Sequence, residues 1–100
     1  MRKIISTELF RSETVRIAQA HGIKKEDIED VLAGVMWALR NNAEDFPLVP
    51  GKKTLRLVKT DAVRSIPALR TVFRIDENDQ VCLYYIEVAK GDGFEGPPLM

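Results

Sequence analysis

Cysteine and histidine are nearly missing: Cys82 and His21 are the only residues of their kinds. One cysteine excludes an internal disulfide, and one cysteine with one histidine supplies too few donors for a zinc site. No metal and no cofactor is therefore expected. Long apolar runs are missing too. No stretch approaches the roughly 18 apolar residues of a membrane span. The opening Arg2-Lys3-Ile4-Ile5 turns polar at Ser6-Thr7-Glu8, too soon for the apolar core of an export signal. The expectation is a cytoplasmic chain with no membrane partner. An excess of one charge is also lacking, since 15 basic residues balance 15 acidic ones. Any attraction to nucleic acid must then come from local clustering.

What is present suits one globular unit. A chain of 100 residues, 45% hydrophobic and 30% charged, can bury one core but not two. Residues 2–6 suit a short opening strand. Ser6 or Thr7 can cap a helix to about Ala20, with Phe10, Thr14, Ile17 and Ala18 at helical spacing and Gly22 closing it. Ile28, Val31, Leu32, Val35, Met36 and Leu39 mark one face of a second helix. Its acidic first turn, Glu26-Asp27, and basic last turn, Arg40, suit the helix dipole. Phe46-Pro47 and Pro50-Gly51 end that helix and open a turn.

After Gly51 the period changes from helical to alternating. Strands are predicted over 54–60, 69–76 and 81–88, with Glu77-Asn78-Asp79-Gln80 as a polar hairpin connection. The order β-α-α-β-β-β predicts an α+β fold: a helical hairpin packed on a three- to four-stranded antiparallel sheet. Residues 1–90 form the single domain, and 91–100 read as a Gly/Pro-rich C-terminal tail.

The charge that cancels overall is unevenly placed. Lys52, Lys53, Arg56, Lys59, Arg64, Arg70 and Arg74 face only Asp61 within residues 52–74, a local +6. Strand alternation puts Arg70, Val72 and Arg74 on one face. If the pairing register allows, Arg56 joins them on the face away from the helices. Arginine forks suit phosphate oxygens, so this row is a candidate for RNA backbone. The competing reading is an ordinary solvated strand face, whose charges discourage edge aggregation.

Over roughly residues 2–90 this pattern resembles the RelE/ParE family of bacterial toxins. The resemblance is carried by the element order and by three strands: Thr54-Leu55-Arg56-Leu57-Val58-Lys59, Leu69-Arg70-Thr71-Val72-Phe73-Arg74-Ile75-Asp76 and the closing 81–90 segment ending in Lys90. It implies an antitoxin partner and, in the RelE branch, an endoribonuclease that cuts mRNA on the ribosome by attack of a 2′-hydroxyl on the adjacent phosphate. The implied catalytic residues are Arg70, Lys90 and Arg56, with Arg56, Lys59, Arg70 and Arg74 binding RNA. Gly91 stands where the family has a second basic residue, and Phe94 stands near its C-terminal tyrosine. Phenylalanine has no proton to transfer, so the catalytic set is incomplete. The alternative is a non-catalytic partner-binding module on the same fold, including ParE-like gyrase binding.

Trp37 falls nearly opposite the apolar face of the second helix, beside Ala33 and Gly34. A large aromatic among small residues suggests a contact surface for an antitoxin or a second copy, against the alternative that the first helix or the tail covers it. His21 reads as a helix-end residue, Cys82 as a small buried strand residue. Tyr84 and Tyr85 should point to opposite faces, one into the core and one able to stack on a base.

Overall fold

The computed structural model describes residues 1–63 and 66–89. Its elements run β1 (Ile4–Ser6), α1 (Glu8–Ala20), α2 (Lys25–Asn42), a 3-10 turn (Ala43–Asp45), β2 (Arg56–Lys59), β3 (Leu69–Ile75) and β4 (Val81–Val88). The fold is α+β, two helices and a four-stranded sheet in the order β1-β4-β3-β2.

The sheet is mixed. β2, β3 and β4 form an antiparallel meander. β1 joins the free edge of β4 in parallel, pairing Ile4 with Val81 and Ser6 with Leu83. Parallel neighbours need a long crossover, and here the helices and the other strands supply it. The wholly antiparallel sheet expected from the sequence is corrected at this one edge.

Local chemistry explains the element ends. Thr7 is the α1 N-cap, its hydroxyl oxygen accepting from the Phe10 amide at 3.2 Å. The same hydroxyl lies 2.9 Å from the Leu83 carbonyl, so one residue caps the helix and ties it to β4. Gly22 follows α1 with φ +62°, a left-handed conformation that glycine adopts without steric cost. In the β3–β4 hairpin the Asp76 carboxylate accepts from the Asn78 and Gln80 amides, both at 2.9 Å. Asp79 takes a positive φ of 59° there, a conformation short polar side chains tolerate.

The main core lies between helices and sheet. Phe10 and Ile17 of α1, and Ile28, Leu32, Val35 and Leu39 of α2, bury against Val58, Leu69, Phe73, Val81, Leu83 and Ile86. A smaller cluster, Val49, Leu55, Val72 and Tyr85, gathers on the other side of the sheet. Val49 reaches it because residues 47–49 fold back along 55–57, through Val49 N–H to Leu55 O (2.8 Å) and Leu57 N–H to Pro47 O (2.9 Å).

A bulge in β4 determines which side chains face where. Val72 pairs with Tyr85 but Phe73 pairs with Leu83, leaving Tyr84 as the extra residue. Before the bulge Val81 and Leu83 face the helices; after it Ile86 does. Both tyrosines therefore pack with the smaller cluster, Tyr85 within it and Tyr84 against it. The expectation that they point to opposite faces assumed an unbroken alternation and is corrected by that inserted residue.

Candidate functional site

The outer sheet face is built by register. Directly paired residues send their side chains to the same side. β2 pairs Lys59 with Arg70 and Leu57 with Val72, while β4 pairs Glu87 with Arg70 and Cys82 with Arg74. Lys59, Arg70 and Glu87 thus stand in a row across three strands, flanked by the apolar Val72 and Tyr85.

Arg70 is not an open phosphate fork. It is 3% exposed, Glu87 is 8% exposed, and their charged groups stand 3.7 Å apart. A positive neighbour directly across the ladder, Lys59, would by itself disfavour Arg70. The carboxylate on the opposite strand offsets that, giving a row of two positive charges, the outer one on solvent-exposed Lys59, followed by one negative charge.

Arg56 lies on the other side of the sheet. Its register partner is Phe73, a main-core residue, so Arg56 shares the helix side with Val58. Its guanidinium donates to the Phe46 carbonyl at 2.6 Å and to the Glu44 carbonyl at 3.3 Å. It therefore ties β2 to two carbonyls just past α2. The co-facial row Arg56–Arg70–Arg74 is corrected for that reason: a shift of one residue in pairing exchanges the faces. Lys59 and Arg74 are exposed. Lys90, and with it Gly91 and Phe94, lies outside the described residues.

Sequence reasoning missed Glu87. Strict alternation from Val81 would have placed it on the helix side; the bulge turns it outward beside Arg70. A carboxylate between Ile86 and Val88 in an otherwise apolar strand was the available signal. Next to it, burial and then the carboxylates of Glu13 and Glu87 push the Tyr85 phenol upward, against the opposing pull of Arg16, which keeps the hydroxyl protonated at neutral pH. A cavity of about 250 Å³ between α1 and β4 is lined by Arg16, His21, Tyr85 and Glu87 among others. His21, exposed at the end of α1, borders it.

Chemically, the outer face carries a carboxylate, a buried guanidinium and a neutral phenol together. The Glu87 carboxylate and the Arg70 guanidinium form an ion pair 3.7 Å apart, so each already has an opposite charge beside it. Among the described residues no group of three His, Cys, Asp or Glu side chains could hold a metal ion. No helix among them is long and apolar enough to cross a membrane. Cys82 is half-buried, its thiol 3.6 Å from Asp76 and pushed up by desolvation.

The helical layer carries a second feature. Between α1 and α2 runs a groove of about 580 Å³ whose lining includes Phe10, Val15, Ile23, Ile28, Leu32 and Met36. Phe10, Ile28 and Leu32 are core residues that form its floor, and Val15 on the rim is 56% exposed. Charges sit only at the margins, among them Arg11, Lys25 and Glu29. Trp37 lies elsewhere on α2, 64% exposed, away from the core face.

No protein-family model matches this sequence, and no curated protein matches it either.

Proposed function

We propose that the chain is a RelE/ParE-type, toxin-like protein normally held in check by a partner protein, the cognate antitoxin of a bacterial toxin–antitoxin system. The observation that carries this reading is the α1–α2 groove, an apolar floor opening at the surface with a polar margin. Such a groove suits an amphipathic helix that presents apolar side chains at i, i+3 or i+4, and i+7. The element order and the three strand segments that resemble the family support the same reading.

Ribonucleolytic chemistry is the second reading, favoured by one specific observation. Glu87, Arg70 and Tyr85 place a carboxylate, a guanidinium and a neutral hydroxyl donor side by side on the outer face, with Lys59 across the ladder. Cleavage by 2′-hydroxyl attack requires groups of those three kinds. The pairing of Arg70 with Glu87 argues for a structural role of both and ranks this reading below partner binding.

The test is co-purification with the product of a small neighbouring reading frame that has a DNA-binding N-terminus. Wild type should form a stable complex. Val15→Glu and Met36→Glu, each placing a charge in the groove, should lose it while keeping native circular dichroism. A complex that survives both substitutions would overturn the groove as the docking site.

A further inference from the structure

The exposed side of α2 carries a self-complementary pattern separate from the groove. At about 100° per residue, Asp30, Ala33 and Asn41 lie within about 40° of Trp37, and Gly34 and Arg40 within about 60°. Glu26, one turn before Asp30, continues the same stripe. The groove side of the helix, through Glu29, Leu32 and Met36, is turned about 80–140° away. All of Glu26, Asp30, Ala33, Gly34, Trp37 and Asn41 are exposed, and Arg40 is half-buried. Order along the stripe is what matters. An acidic half comes first, a notch of two small residues follows, then the indole, then the basic and amide side chains.

We infer that this face pairs with the same face of a second copy of the chain, α2 against α2 and antiparallel. Two-fold symmetry then seats each Trp37 over the Ala33–Gly34 notch of the other copy and brings each Arg40 to the other Asp30. A parallel arrangement would oppose Asp30 to Asp30 and is repulsive. Gly34 leaves open space where a Cβ would stand, so nothing obstructs a close approach of the helices. Antiparallel packing also aligns the two helix dipoles favourably. An 18-residue helix is about 27 Å long. A single helix pair falls short of the roughly 1,200 Å² that stable interfaces bury, so the dimer belongs to the weak, reversible class.

Sedimentation velocity and tryptophan emission test this together, because Trp37 is the only tryptophan. The full chain should move from monomer toward dimer between about 1 and about 300 µM, the range of a weak interface. Its emission should shift to the blue over the same range as the indole leaves water. Trp37→Glu should remain monomeric across the range with unchanged circular dichroism, since the indole is exposed in the monomer. Asp30→Arg and Arg40→Asp should each weaken association about five-fold or more, and the double exchange should restore it. A wild type that stays monomeric throughout overturns the proposal. So does a dimer indifferent to Trp37→Glu, which would place the contact elsewhere, or a double exchange no better than the singles, which would refute the antiparallel register.

Discussion

Replacing Arg70 by alanine separates a structural arginine from a nucleic-acid contact. The guanidinium is 3% exposed and stands 3.7 Å from the Glu87 carboxylate, itself 8% exposed. Coulomb attraction at that distance is about 4.5 kcal/mol for an effective dielectric near 20, and desolvation of both groups offsets much of it. Removing one partner is costlier than the pair's net worth, because Glu87 stays buried after losing this cation; such deletions cost about 3–5 kcal/mol. The separation exceeds the roughly 2.8 Å of a direct charge-assisted hydrogen bond, so the lower end, about 3 kcal/mol, applies. For a domain of this size each kcal/mol moves the melting temperature by about 4–8 °C, giving a loss of about 12–24 °C. The assay is thermal unfolding of wild type, Arg70→Ala, Glu87→Leu and the double variant Arg70→Met/Glu87→Leu. Each single change should be strongly destabilising, and the double should recover most of the loss. A shift below about 3 °C for Arg70→Ala would refute the buried-pair reasoning and return Arg70 to the surface.

Gly22→Ala should lower stability by about 1–2 kcal/mol in urea unfolding, because φ +62° is strained for any residue with a Cβ even though nothing crowds the site. The Gln80 amide, followed by the Asn78 amide, holds the Asp76 carboxyl below its ordinary value of 3.8. A lowered folded value means stability that is present above the unfolded value and lost as pH falls through the folded one. Asp76→Asn should therefore flatten part of the fall in melting temperature between about pH 4 and pH 2 in scanning calorimetry. With Arg70 paired and Arg56 on the other side of the sheet, Lys59 and Arg74 are the exposed basic residues of β2 and β3 on the outer face among the described residues. Binding of a short RNA should be weak, with a log–log salt slope no steeper than about −1.4 for two phosphate contacts. A slope several units steeper would revive the basic-row reading.

The helices were legible because their signals are local. Apolar spacing in α2, Thr7 at the cap and Gly22 at the close lie within a few residues of what they control. β4 was legible in extent for the same reason: its residues 81–88 alternate between turn signals. Pairing was not legible, because it joins residues far apart in the chain. Nothing near Ile4 says that it will lie beside Val81 in parallel. Arg56 illustrates the consequence. Its alternation with Leu55 and Leu57 was readable, but whether it shares a face with Phe73 or with Arg70 depends on register alone. The bulge at Tyr84 adds one residue that alternation cannot foresee, and that residue brings Glu87 to Arg70. The apolar groove is likewise a product of how two helices lean together, since Val15 and Met36 carry no local sign that they line one cleft.

Induced expression of the chain in a bacterial host, with and without the neighbouring small reading frame, tests the central claim most directly. Expression alone should arrest growth. Co-expression should relieve the arrest for wild type and fail to relieve it for Val15→Glu, whose groove carries a charge. Unimpaired growth on expression of the chain alone, with folded protein accumulating in the cells, would contradict the toxin-like reading.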